Sequence, residues 1–177
     1  MKEQQPIPWT TQEILEATGG ALLCGDLHRR FSRVGIDSRE ISPEDFFFAI
    51  VGESHDGQGF ASAVVDQGVR GLLIGRQKAG QLPVAAWDTM TVTCIAVADT
   101  TRALGDPPAF NRRRAKVAGV AVTGSNGKTT TRKLTVAVLR RQYNTLATTG
   151  TCNNEIGLPL TLLGRSPDHQ WAVVELG

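Results

Sequence analysis

Apolar positions in the first hundred residues come in short runs separated by turn chemistry, a texture that predicts a small α/β domain. Thr10 and Glu13 stand three apart ahead of Ile14, Leu15 and Ala17, so hydroxyl and carboxylate can each satisfy one orphan helix amide. Gly19-Gly20 then ends the helix. Strand-like runs follow at 21–24, 33–37 and 46–51, the last two parted by the turn-forming Ser42-Pro43-Glu44-Asp45. Residues 59–67 predict a short helix closed by Gly68, and residues 71–75 a buried strand. Another run, 91–97, leads to Asp99-Thr100-Thr101, where a helix can start. Pro107-Pro108 predicts a break in that helix, leaving two short helices or a loop, and a domain boundary near residue 115.

Beyond that point the texture changes. Val117-Ala118-Gly119-Val120-Ala121-Val122 is a continuous apolar run of the kind a buried parallel strand needs. A glycine-containing loop follows, then residues 129–141 with Leu134, Val138 and Leu139 at helical spacing. Strands are expected again at 145–148 and 171–175, where the sequence stops inside the sheet. The predicted class is α/β, with one small domain over 1–115 and the first part of a parallel-sheet domain over 116–177.

Composition changes this picture little. A chain of 177 residues with 41% hydrophobic and 20% charged positions can bury a core, which excludes wholesale disorder. A net charge of +2 gives no reason to expect nucleic acid or membrane as a partner, and Arg112-Arg113-Arg114 reads as a solvated helix end. Cys24, Cys94 and Cys152 are odd in number, far apart and without metal-ligand spacing, which suits a reducing compartment. No apolar stretch approaches the ~18 residues of a membrane span. A cytoplasmic monomer is expected.

The chemistry is concentrated in Thr123-Gly124-Ser125-Asn126-Gly127-Lys128-Thr129-Thr130. Between a strand and a helix, its glycines let several amides turn inward on phosphate oxygens, and the helix aims its positive end at the same place. Lys128 supplies a mobile charge for β- and γ-phosphates, and the Thr129 hydroxyl can ligate Mg2+. ATP and Mg2+ are therefore the expected cofactors, with Gly124, Ser125, Asn126, Gly127, Lys128, Thr129 and Thr130 around the nucleotide and Lys128 as the catalytic residue. The loop departs from the general phosphate-loop pattern, since only Ser125 and Asn126 separate Gly124 from Gly127.

This variant spacing resembles the ATP loop of the Mur ligases, which form amide bonds in peptidoglycan precursor synthesis. Ile36-Asp37-Ser38-Arg39, Pro43, Asp45, Phe47, Ala49, Gly52-Glu53 and Asp56-Gly57 are similar to the N-terminal domain of the late members. Asn153-Asn154-Glu155-Ile156-Gly157 and Val173-Val174-Glu175-Leu176-Gly177 are similar to the branch that adds D-alanyl-D-alanine, rather than the branch that adds the third amino acid. The resemblance implies that ATP phosphorylates the carboxylate of UDP-N-acetylmuramoyl-tripeptide and that the amine of D-alanyl-D-alanine attacks the acyl phosphate. It places Ser38 and Arg39 on the UDP substrate, Asn153 and Asn154 near the phosphates and the reacting carboxylate, and Glu175 beside Thr129 on the metal. From the residues alone, 37–39 can equally be a turn after a strand, 153–154 loop geometry, and Glu175 a solvated strand end. Glu44 stands where the family has glycine, Gln58 where it has histidine, and Pro107-Pro108 interrupts a helix the family continues. The family also continues through more sheet and a C-terminal domain, so this stretch alone is not expected to ligate. The alternatives are third-residue addition by the same chemistry, or a remnant that binds nucleotide or UDP-sugar without turnover.

Overall fold

The computed structural model describes residues 6–52, 56–114, 117–148 and 154–177, and of 112–114 the backbone only. The chain forms two compact units, Pro8–Pro107 and Pro108–Gly177, the second also holding Ile7.

In the larger unit, β1 (Trp9–Thr10) runs into α1 (Thr11–Thr18) through the expected capping box. The Thr10 hydroxyl accepts the Glu13 amide at 3.2 Å, the Glu13 carboxylate accepts the Thr10 amide at 2.9 Å, and Gly19 closes the helix at φ 59°. The strands that follow are β2 (Ala21–Cys24), β3 (Arg30–Phe31), β4 (Val34–Gly35), β5 (Phe46–Phe48), β6 (Gly71–Gly75) and β7 (Thr93–Val97), with helices α2 (Ala61–Asp66), α3 (Val84–Thr89) and α4 (Thr100–Arg114). Five of these strands form one sheet in the order β2-β7-β6-β5-β4, parallel except for β2, while β1 pairs with β3. The predicted strands at 33–37 and 46–51 shorten to β4 and β5. Past Phe48 the backbone curls, with the Ile50 amide turning back to the Phe48 carbonyl at 2.9 Å.

Buried parallel strands have both faces covered, and β5, β6 and β7 are buried at every position. Phe46, Phe47 and Phe48 are core, with Phe46 meeting Phe31 edge-on at 4.8 Å and Phe48 at 5.7 Å. Gly71 is where these rings crowd the backbone: a Cβ there would stand 2.5 Å from Phe31 and 2.6 Å from Phe46. Gly71→Ala is expected to destabilise the chain by about 1–3 kcal/mol, measured by urea unfolding. An unchanged midpoint would show that the two rings can move aside.

The cysteines that are distant in sequence meet in space. Cys24 and Cys94 are facing positions of β2 and β7, both free thiols. The Cys24 thiol donates to the Val92 carbonyl at 3.3 Å, and burial pushes the Cys94 thiol up to about 12. Cys152 lies outside the described residues.

The Pro107-Pro108 pair does not break the helix: α4 runs unbroken from Thr100 to Arg114. The prolines remove the amides that would bond the Ala103 and Leu104 carbonyls. Against that loss, both rings are buried, and Asp99 holds the helix start by accepting the amides of Thr101 and Arg102, each at 2.9 Å.

The smaller unit carries β8 (Ala118–Val122), α5 (Lys128–Leu139), β9 (Thr145–Ala147), α6 (Gly157–Leu163) and β10 (Trp171–Glu175). Its sheet is wholly parallel in the order β8-β10-β9, so the last strand of the chain is the central one. The expectation of a buried strand at 117–122 is corrected here. Among the described residues β8 pairs on one side only, and Ala118, Gly119 and Ala121 are exposed. The helix expected over 129–141 forms as α5, which buries Arg132 and Val136 while Leu134 and Val138 stay 64% and 68% exposed. Among the described residues no helix is long and apolar enough to cross a membrane.

Candidate functional site

The apolar β8 ends at Val122, and residues 123–127 turn in the open before α5 starts at Lys128. Gly124 and Gly127 adopt φ 139° and 75°, which side-chain-bearing residues resist. Around Gly127 nothing lies within 4 Å of where a Cβ would stand, so conformation rather than space requires the glycine there. No side chain caps α5, whose ladder begins with the Thr131 amide on the Gly127 carbonyl at 2.9 Å. Its first amides and positive dipole end therefore face the loop, the arrangement that receives an anion. Lys128 stands half-buried at the first helical position, and Ser125, Asn126, Thr129 and Thr130 are exposed around it.

The parallel sheet delivers a carboxylate to the same end. Glu175 closes β10, in register with Val122 at the end of β8. The Thr129 hydroxyl donates to its two oxygens at 3.2 and 3.1 Å. The Arg132 Nε lies 3.2 Å from Oε2, with both side chains buried at 7% and 8% exposure. That Nε–H is not aligned for a hydrogen bond, so the contact is one of charge. Thr148, just past β9, accepts the Glu175 amide at 3.3 Å and Arg132 Nη1 at 3.4 Å. A hydroxyl and a carboxylate side by side below an uncapped helix start are hard oxygen donors beside a polyanion site. Among the described residues no group of three or more His, Cys, Asp or Glu could hold a metal by itself. A cation here would complete its shell with phosphate oxygens and water.

Comparison with known proteins fits this arrangement. Residues 122–177 match the Mur ligase middle domain, and residues 30–106 match the Mur ligase family catalytic domain. The UDP-N-acetylmuramoyl-tripeptide–D-alanyl-D-alanine ligase of Escherichia coli is 34% identical over 168 residues, which is 95% of this chain and 34% of that protein. A crystal structure of MurF from Acinetobacter baumannii superposes with a TM-score of 0.85 at 35% identity, over 98% of this chain and 36% of that one. The MurF ligase of Thermotoga maritima, solved in complex with ADP, superposes with a TM-score of 0.68 at 26% identity, over 81% of this chain and 31% of that one.

The chain belongs to the Mur ligase family. It spans about a third of the length of the curated relatives it matches.

Of the residues that the sequence singles out in this Mur ligase chain, the fold gathers Lys128, Thr129 and Glu175 at one sheet end. Ser38 and Arg39 lie in the other unit, in the turn after β4. Arg39 is 85% exposed and forks onto its own neighbour, Nε to Asp37 Oδ1 at 2.9 Å and Nη2 to Oδ2 at 2.6 Å. That guanidinium holds the Asp37 carboxyl down to about 2. Asn154 stands just ahead of α6, its side-chain oxygen accepting the Gly157 amide at 2.7 Å, while Asn153 lies outside the described residues. Gln58, where the family has histidine, accepts the Gly75 amide at 2.9 Å and so ties its turn to β6.

Sequence reading passed over Arg132 and Thr148. Arg132 was detectable: it follows Thr129 by three positions, so the two share a helix face. Thr148 carried no such signal, because its role depends on where β9 ends beside β10.

Proposed function

We propose that this chain is the UDP-substrate and nucleotide-phosphate portion of a Mur ligase that adds D-alanyl-D-alanine to UDP-N-acetylmuramoyl-tripeptide. The larger unit, within residues 1–115, takes the UDP end of the substrate through Ser38 and Arg39. Residues 116–177 take ATP, in a protein of the relatives' full length acting as a monomer in the cytoplasm. What carries the reading is the meeting of Thr129 and Glu175 beneath the open start of α5. The Thr129 hydroxyl and the Glu175 carboxylate are both hard oxygen donors and already lie side by side, so these two residues would suit Mg2+ and would hold it.

In this reading the amides of 124–130 cradle the ATP phosphates, and Lys128 places its ammonium against the β- and γ-phosphates. Mg2+, when bound, supplies neutralisation of the transferring phosphoryl group. Phosphoryl transfer depends on positioning and charge more than on covalent help, which suits a site made of amides, one lysine and one carboxylate. The γ-phosphoryl group passes to the tripeptide carboxylate, releasing ADP. The dipeptide amine then displaces phosphate from the acyl phosphate and sheds a proton. Support for the dipeptide comes from the relatives, which are named for that reaction.

The test is ADP release by the protein at the relatives' length, carrying this chain. Turnover is expected with UDP-N-acetylmuramoyl-tripeptide and D-alanyl-D-alanine together, and not with either alone. Turnover with UDP-N-acetylmuramoyl-dipeptide and diaminopimelate or lysine would assign third-residue addition instead. Binding of both substrates without ADP release would identify a non-catalytic protein.

A further inference from the structure

Glu175 already has a cation beside it. Arg132 sits 3.2 Å from Oε2, the oxygen to which the Thr129 hydroxyl donates at 3.1 Å. Neither charged side chain is more than 8% exposed, so without each other both would be costly to bury. The hold is nonetheless a loose one. The guanidinium meets the carboxylate by charge alone, with Nε unaligned, and its contact to Thr148 is long at 3.4 Å. A purely structural arginine at this depth would have its donors satisfied, and one donor of Arg132 is left over.

We infer that Arg132 is a built-in counter-cation for Glu175: it neutralises the carboxylate when no divalent cation is bound, and a cation gains Glu175 only in competition with it. The helix makes this possible by presenting Thr129 and Arg132 three residues apart, so that one turn of α5 brings both the second oxygen donor and the competitor to a single carboxylate. The consequence is a site that stays folded while empty and binds a divalent cation weakly until nucleotide phosphates add their own charge. Arg132 is thus a positioning residue, acting through Glu175. The inference rests on Thr129 and Glu175 being cation ligands.

The test is Mn2+ titration of the 177-residue chain, read by the electron paramagnetic resonance of free Mn2+, without nucleotide and with a non-hydrolysable ATP analogue. Removing the competing charge in Arg132→Met is expected to tighten nucleotide-free Mn2+ binding about tenfold, since an adjacent like charge opposes the ion in a poorly solvated site. Arg132→Lys keeps the charge and is expected to stay near wild type. Arg132→Gln keeps polar donors without the charge, and is the variant read if the methionine form does not fold. In a Glu175→Gln background, replacing Arg132 should change nothing. Unchanged or weaker Mn2+ binding on loss of the charge would overturn the inference while leaving Glu175 as a ligand. Wild-type Mn2+ binding by Glu175→Gln alone would remove the ligand assignment itself, and the inference with it.

Discussion

Glu175→Gln is expected to lower the stability of the chain by about 3 kcal/mol and to abolish the magnesium dependence of nucleotide binding. The first effect follows from burial: the substitution leaves the Arg132 guanidinium, 7% exposed, without its counter-charge. Breaking a buried pair by removing one partner costs roughly 3–5 kcal/mol. The lower end applies because a glutamine carbonyl can still accept from Thr129. The second effect follows from loss of the Glu175 carboxylate beside Thr129. Urea unfolding checks the first, and calorimetric titration with ADP, with and without Mg2+, checks the second. Preserved magnesium dependence would remove Glu175 from the cation's shell whatever the stability did.

Lys128→Ala is expected to do the reverse, leaving the fold alone and disabling the site. Lys128 opens α5, where a positive charge opposes the helix dipole and alanine is the better helix former, so stability should hold or rise slightly. Binding of ADP should weaken by more than tenfold, and turnover at the relatives' full length should fall by about 10²–10³, the scale of removing one preorganised charge-stabilising group. Steady-state ADP release and thermal unfolding of the same variant check both halves. Loss of stability together with activity would make Lys128 a structural residue. Full activity would place the phosphates elsewhere.

The local parts of this fold were legible in the sequence because each is dictated locally. The Thr10–Glu13 capping box, the fully apolar β6 and the succession of β8, glycine loop and α5 need only neighbouring residues to specify them. The errors arise where a partner distant in sequence decides. Residues 117–122 have the composition of an inner strand, yet among the described residues β8 has a neighbour on one side only. The spacing of Leu134 and Val138 specifies a helix but not its buried face, since α5 turns Arg132 inward to meet Glu175, whose position depends on β10 lying between β8 and β9. Pro107-Pro108 argues for a break by local rules, and the burial of both rings decides otherwise. At the site, the Gly-Lys-Thr loop was visible as a motif. The network of Thr129, Arg132, Thr148 and Glu175 joins residues up to 46 positions apart and becomes apparent only in three dimensions.

The loop at 124–130 is proposed to hold nucleotide phosphates with a cation on Thr129 and Glu175. The most direct measurement is an amide chemical-shift titration of the 177-residue chain with ADP and Mg2+. The amides of Gly124 to Thr130 and of Glu175 are expected to move together with one saturating curve, while Leu72 and Ile95 in the five-stranded sheet stay in place. Saturable shifts confined to other residues, or none at millimolar nucleotide, would contradict it.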